Sequence, residues 1–289
     1  MLFNPAHTVL NQQASARKNS SGDKSDVDTT NLIGHWDPNA SGAISGTTYN
    51  NLVTSKEDLK IYGATFVGSA QPYHFSFDGT NDKIADIDTS EPYNDNFQVD
   101  ARKSFAISMW LKFDNFTNSN ILWTLGDGNG AALIEAYMAS DQKDRVEFTL
   151  GSNSHNIKKK FSGGDDGEFN AGIWYMITFR LRHPEANKAM VDLFVDGIPM
   201  EVGSLDSYGS GGWPPMVSNY LTANAVSAND LDIGYNEPDS AYINSATKLG
   251  AVMVHQSAGE GNCLPYSKVL ALYLATKTGV GSGGLWSYK

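Results

Sequence analysis

The stretch Phe105-Ala106-Ile107-Ser108-Met109-Trp110-Leu111-Lys112-Phe113 sets Phe105, Ile107, Met109, Leu111 and Phe113 at every second position. Successive side chains of a β-strand point to opposite faces, so a period of two puts these five on one face. Tyr175, Ile177, Phe179 and Leu181 repeat the pattern, with Trp174, Thr178, Arg180 and Arg182 facing the other way. Val191, Leu193 and Val195 follow, and Asp196-Gly197 divides them from Ile198 and Met200. A two-residue Asp-Gly loop between apolar runs predicts a tight hairpin, because both turn residues need positive φ.

Outward from this centre, strands are predicted over 59–65, 74–77, 83–87, 121–125, 132–137, 145–149, 231–233 and 249–255. Turn clusters separate them, among them Gly126-Asp127-Gly128-Asn129-Gly130 and Ser162-Gly163-Gly164-Asp165-Asp166-Gly167. Many short strands with such punctuation predict a sandwich or barrel. One helix is predicted near 265–278. Tyr266, Val269, Leu270, Tyr273 and Leu274 form a single apolar stripe, Pro265 suits the first turn and Gly279 the stop. Residues 1–31 read as an extended arm and 32–289 as one domain. Gln12 to Thr30 is nearly free of large apolar side chains, so only Leu2, Phe3, Val9 and Leu10 offer anchors for a tether.

Low charge favours an all-β reading: charged residues are 18% of the 289, and there are 28 Gly. The net charge of -11 repels phosphate backbones, so no nucleic acid is expected as a partner. Lys158-Lys159-Lys160 reads as the decoration of a strand end. Cys263 is the only cysteine, which rules out an internal disulfide and leaves no sign of a reactive thiol. No stretch approaches the ~20 apolar residues of a membrane span, and the N-terminus lacks the pattern of a secretory leader.

Several phrases together resemble the laminin G-like, concanavalin A-like lectin/glucanase superfamily. They are Leu32-Ile33-Gly34-His35-Trp36-Asp37, Phe75-Ser76-Phe77-Asp78-Gly79-Thr80-Asn81-Asp82-Lys83-Ile84, the stretch from Phe105, Trp174 to Phe179, and Val191 to Gly197. Leu249 to His255 followed by Leu270 to Gly279 looks like the family's closing strand and helix. The resemblance implies a two-sheet antiparallel jelly-roll sandwich with a C-terminal helix. It says less about activity, since the superfamily holds lectins, adhesion modules, glycosidases, lyases and phage or viral surface proteins. Two stretches depart from the family's pattern. Glu201 to Asp230 is longer than a plain hairpin loop, and Cys263-Leu264-Pro265 lacks the usual helix start.

Glycosidases of this fold carry Glu-x-Asp-x-Glu on one strand face, and no such triplet occurs here. His-Glu-x-x-His, Gly-x-Ser-x-Gly and Gly-x-x-x-x-Gly-Lys are also missing. His183 beside Pro184 reads as a loop residue, and His35, His74 and His255 as strand residues. No enzyme and no cofactor are therefore expected. Calcium is the alternative, through the oxygen-rich turns of Asp78, Asn81 and Asp82 and of Asp127 and Asn129. Each turn supplies only two or three of the six or more oxygens calcium takes, and Asx turns are the plainer reading. A glycan would stack on exposed rings beside amides and acids. Trp213, Tyr208, Tyr235, Asn236 and Trp123 are the candidates, with core or interface packing as the competing role for each.

The function expected first is that of a virion structural protein: capsid decoration, cement or fibre. Its partners would be the major capsid protein or copies of itself, as a homo-oligomer, and surface glycans. Its place would be the virion surface, after assembly in the host cytoplasm, or else the extracellular space. A lectin-like adhesion module is the alternative, and a polysaccharide-acting enzyme of the same fold the second.

Overall fold

The period-two runs become strands whose apolar faces meet. The computed structural model describes residues 29–54, 56–70, 72–86, 97–116, 120–126, 132–138, 146–150, 169–185, 188–199, 216–218, 229–236, 241–257 and 263–278. In chain order the strands are β1 (Leu32–Trp36), β2 (Ile44–Ser45), β3 (Thr48–Tyr49), β4 (Leu59–Tyr62), β5 (Thr65–Val67), β6 (His74–Ser76) and β7 (Lys83–Asp86). Next come β8 (Gln98–Val99), β9 (Phe105–Phe113), β10 (Asn120–Gly126), β11 (Ala132–Met138), β12 (Val146–Leu150), β13 (Trp174–Glu185) and β14 (Lys188–Val195). The last are β15 (Ile198–Pro199), β16 (Met216–Ser218), β17 (Asn229–Ile233), β18 (Tyr235–Asn236), β19 (Ala241–Tyr242) and β20 (Thr247–Gln256), followed by helix α1 (Tyr266–Thr278).

They form a two-sheet antiparallel jelly-roll sandwich with, among the described residues, one helix at the C-terminal end. Sheet I has the order β15-β14-β13-β9-β20-β6-β5, with β1 also on β20 and β16 also on β14. Sheet II has the order β12-β11-β10-β17-β7-β4-β3-β2, with β8 also on β17. Phe105, Ile107, Met109, Leu111 and Phe113 all enter the core between the sheets, as do Tyr175, Ile177, Phe179 and Leu181 from β13. Sheet II answers with Leu59, Ile61, Ile84, Trp123, Leu125, Leu231 and Ile233. Full burial of a large apolar side chain contributes about 1.5–3 kcal/mol, which makes this layer the main source of cohesion.

Asp196 and Gly197 take φ of 53° and 76°, and Val195 pairs with Ile198 across them, as an Asp-Gly hairpin requires. The Asp196 carboxylate accepts the Met176 N–H at 2.9 Å, and α1 lies close enough to the turn that a Cβ on Gly197 would stand 2.9 Å from the Leu270 Cα.

That closeness buries Asp196 and pushes its pKa from 3.8 up to about 6, with the Met176 N–H and Lys277 pulling the other way. A carboxyl with a higher pKa folded than unfolded holds its proton more tightly when folded. Its stabilising share is complete below pH 3.8 and is lost as pH rises through about 6. Asp196→Asn keeps the amide-accepting oxygen and a side chain that tolerates positive φ, but removes the charge. It is expected to raise stability by about 1–3 kcal/mol at pH 8 and by no more than about 0.5 kcal/mol at pH 4, at roughly 1.4 kcal/mol per pKa unit. Urea midpoints at the two pH values check this; an equal gain at both would rule out the titration.

Three sequence expectations are corrected. The run 59–65 is not one strand: β4 stops at Tyr62, Gly63 takes φ +75°, and β5 belongs to the other sheet. Gly63 is required there because the Asp82 Oδ1 stands 2.1 Å from where its Cβ would be. His183 is not a loop residue. It lies in β13 and is buried, its N–H donating to the Ser104 hydroxyl at 3.2 Å. Helix α1 is buried on more than one stripe, since Leu272 is 0% exposed and Thr276 is also buried. The arm anchors Leu2, Phe3, Val9 and Leu10 lie outside the described residues. No helix among the described residues is long and apolar enough to cross a membrane.

Candidate functional site

The two outward faces of the sandwich differ. On sheet I, Trp110, Met176, Phe194 and Met253 pack against Val269, Leu270, Leu272 and Tyr273, so α1 covers that face. On sheet II the outward positions carry rings and charges. Strand β4 reads Leu-Lys-Ile-Tyr, and with Leu59 and Ile61 in the core, Lys60 and Tyr62 turn outward. By the same alternation Lys83 and Ala85 are outward on β7, Asp230 and Asp232 on β17, Thr124 on β10, and Glu135 and Tyr137 on β11.

Register then assembles them. Glu135 lies opposite Thr124, Thr124 opposite Asp232, Asp232 opposite Ala85, and Ala85 opposite Lys60, in one row across five strands. Tyr62 is opposite Lys83. Past β17 the chain bends at Gly234, with φ +80° and so little room that a Cβ would stand 2.9 Å from the Ile243 Cγ2. The bend brings the short hairpin β18–β19 over the outward face, where the Tyr235 carbonyl accepts the Thr124 hydroxyl at 2.9 Å. Tyr235 and Tyr242 pair there, ring centroids 4.7 Å apart.

Lys83 ties this corner together. Its ammonium lies 4.4 Å from the Tyr235 ring centroid, 5.3 Å from that of Tyr62 and 3.6 Å from the Asp232 carboxylate. Lys60 caps Tyr62 as well, at 4.6 Å. A cation over an aromatic face gains about 0.5–1 kcal/mol at such wet sites, which fixes ring orientation more than it stabilises the fold. The result is a half-buried group of tyrosines with ammonium and carboxylate groups between them. Such a surface offers stacking to apolar C–H faces and charged hydrogen-bond partners to hydroxyls.

Only part of this is legible in the sequence. Tyr235 does belong to the corner. Asn236 lies beside it in β18, opposite Ala241, with its side chain outside the described residues. Trp123 is withdrawn as a surface candidate: it is 0% exposed, edge-on to Phe179 at 5.4 Å in the core. Trp213 and Tyr208 lie outside the described residues. Sequence reasoning misses Tyr62, Lys83, Lys60, Asp232 and Tyr242. Most of them do carry a signal, as polar or aromatic residues at the outward phase of predicted strands, but nothing in the sequence joins the strands.

Of the calcium candidates, Asp127 and Asn129 lie outside the described residues. Asp78 turns its Oδ1 onto the N–H groups of Thr80 and Asn81 at 2.7 and 3.3 Å, and Asp82 accepts the Asp78 N–H at 2.7 Å. Burial raises the Asp82 pKa. Among the described residues no three His, Cys, Asp or Glu side chains converge as metal ligands would. Cys263 is buried, which pushes its thiol up to about 12 and leaves it almost wholly protonated.

No family model matches the chain, and no curated protein matches it. Solved structures do. A sialidase of Trypanosoma rangeli, solved in complex with sialic acid, aligns with a TM-score of 0.59 at 15% identity, over 96% of this chain and 39% of the sialidase. A protein solved as a receptor binding domain aligns at 0.55 and 13% identity, over 87% of this chain and 53% of its own. The binding domain of botulinum neurotoxin DC, solved with rat synaptotagmin II, aligns at 0.52 and 11% identity, over 85% and 51%. The chain thus spans about two fifths of the sialidase and about half of each binding domain. The expectation of no enzyme is corrected here. The sequence carries no Glu-x-Asp-x-Glu triplet, but 96% of the chain aligns with part of a sialidase, so the missing motif does not exclude an enzyme. At these identities the likeness carries no activity across; what it establishes is a shared fold, a two-sheet β-sandwich.

Proposed function

We propose that the chain is a carbohydrate-binding adhesion module whose ligand lies on the outward face of sheet II, around Tyr62, Lys83, Tyr235 and Tyr242. The observation that carries this is the Lys83 ammonium held between two tyrosine rings and the Asp232 carboxylate, on the sheet face opposite the one that α1 covers. Rings flanked by charged hydrogen-bonding groups suit sugars, whose C–H faces are apolar and whose rims are hydroxyls. The neighbours lend support: the sialidase was solved with sialic acid, and the neurotoxin binding domain also in complex with SialylT.

Tyr235→Ala is expected to lower binding on a glycan array by about tenfold or more, with the melting temperature little changed, since Tyr235 is half-buried at the sheet surface. Binding that survives Tyr235→Ala but falls with Trp213→Ala would move the site to the stretch between β15 and β17. A chain that holds no glycan on the array would sink the proposal.

Catalysis on a glycan is a second reading with its own observation. Glu135 and Asp232 share the outward row, one strand apart on either side of Thr124. Two strand spacings are roughly 10 Å, near the carboxylate separation of inverting glycosidases. Release of reducing sugar in the same preparations decides it. The role as capsid decoration, cement or fibre, with capsid protein or copies of itself as partners at a virion surface, is a proposal from the sequence of the arm. Cryo-electron microscopy of an assembled particle tests it, through the order of residues 1–31 against a neighbour.

A further inference from the structure

We propose that the ligand of the sheet II face is an acidic saccharide, and that Lys60 is the residue that reads its carboxylate. The inference rests on the binding reading above and adds a charge to it. The two lysines of the corner are in different electrostatic states. Lys83 is neutralised by Asp232 at 3.6 Å. Lys60 makes no ion pair among the described residues; its contact is the Tyr62 ring at 4.6 Å. An ammonium on a ring keeps its charge and its remaining hydrogen-bond donors for a ligand.

The surroundings set the kind of anion. Ala85 stands opposite Lys60 on one side and separates it from Asp232 by two strand spacings, roughly 10 Å. At physiological salt that exceeds the screening length of about 8 Å, so Asp232 does little to quench Lys60. On the other side Thr48 lies opposite Lys60, on the strand next to Ser45. A carboxylate on Lys60 would thus have hydroxyl neighbours on one flank and the Tyr62 ring on the other. A polyanion is a poor fit, because binding it needs several cations in a row, and this row continues into Asp232 and Glu135 on a chain of net charge -11. A singly charged group on a sugar ring matches one free ammonium beside one aromatic face.

The probes are immobilised 3′-sialyllactose, a glucuronic-acid-terminated disaccharide, the methyl ester of sialyllactose, and lactose, presented to the full chain. The acids are expected to bind at least about fivefold more tightly than ester or lactose. Lys60→Gln is expected to bring the acids down to the level of the ester, leave lactose unchanged, and remove the salt dependence of binding. Sialyllactose outbinding the uronic disaccharide, or the reverse, would support the inference and say which acid. Equal binding of acid and ester, or a Lys60→Gln protein that still prefers acids, would overturn the charge inference. In that case loss of binding in Tyr235→Ala would leave the binding face standing. No binding to any probe would overturn both. Lys60→Arg, which keeps the charge, should retain the preference and guards against a misfolded Gln variant.

Discussion

Trp110→Ala is expected to cost about 3–5 kcal/mol of unfolding free energy and to loosen α1 from sheet I. Trp110 points outward from β9 and is 0% exposed. Its indole stacks on Tyr273 with centroids 5.8 Å apart and donates its N–H to the Thr276 hydroxyl at 3.0 Å. Truncation orphans no buried polar group, because Thr276 also bonds the Leu272 carbonyl at 2.8 Å. The cost is therefore that of a cavity, whose walls on both the sheet and the helix no longer have the indole's dispersion attraction. A urea midpoint shifted at constant slope, with faster hydrogen exchange in α1, is the signature. A loss below about 1 kcal/mol would mean that the helix does not hold this face closed.

Asp192→Ala is the second large effect, at about 3 kcal/mol. Asp192 on β14 receives Arg180 through Nε at 3.0 Å and through a second nitrogen at 2.9 Å, and Arg182 through Nη2 at 3.1 Å. The Arg180 side chain is only 8% exposed; it lies 4.9 Å from the Phe194 ring centroid and donates to the Leu264 carbonyl just before α1. Removing the carboxylate leaves a buried guanidinium without its counter-charge, and that penalty exceeds what the pair itself contributes. Burial already lowers the Arg180 pKa, with Asp192 opposing. Replacing both partners, Arg180→Met with Asp192→Leu, should recover at least half of the loss. If the double variant is as unstable as the single one, desolvation of Arg180 is not the cause.

Both effects act where the outward side of sheet I meets α1, and only the parts of that junction are legible in the sequence. Alternation assigns Trp174, Arg180 and Arg182 to the side of their strand away from Tyr175 and Phe179, and the stripe from Tyr266 to Leu274 foretells α1. That the helix lands on Trp110 and Phe194, and so closes this face rather than the other, comes from the fold. Likewise Tyr235 stands among the glycan candidates in the sequence without neighbours. Trp123, equally aromatic, fills the core instead, because β10 presents it inward against Phe179.

By itself the sequence determined the class of fold. Alternation in the runs from Phe105 and Trp174, and the positive-φ pair Asp196-Gly197, are local properties that a strand or turn expresses wherever it lies. The tertiary structure alone decided the site. A period of two says which side chains share a face of one strand, but not which strands lie beside it. Lys60, Lys83 and Asp232 become neighbours only because β4, β7 and β17 pair in that order, and Tyr235 joins them only because Gly234 can bend the chain over the sheet. Non-local hydrogen bonding, which no short window of sequence encodes, makes one surface out of residues from distant parts of the chain.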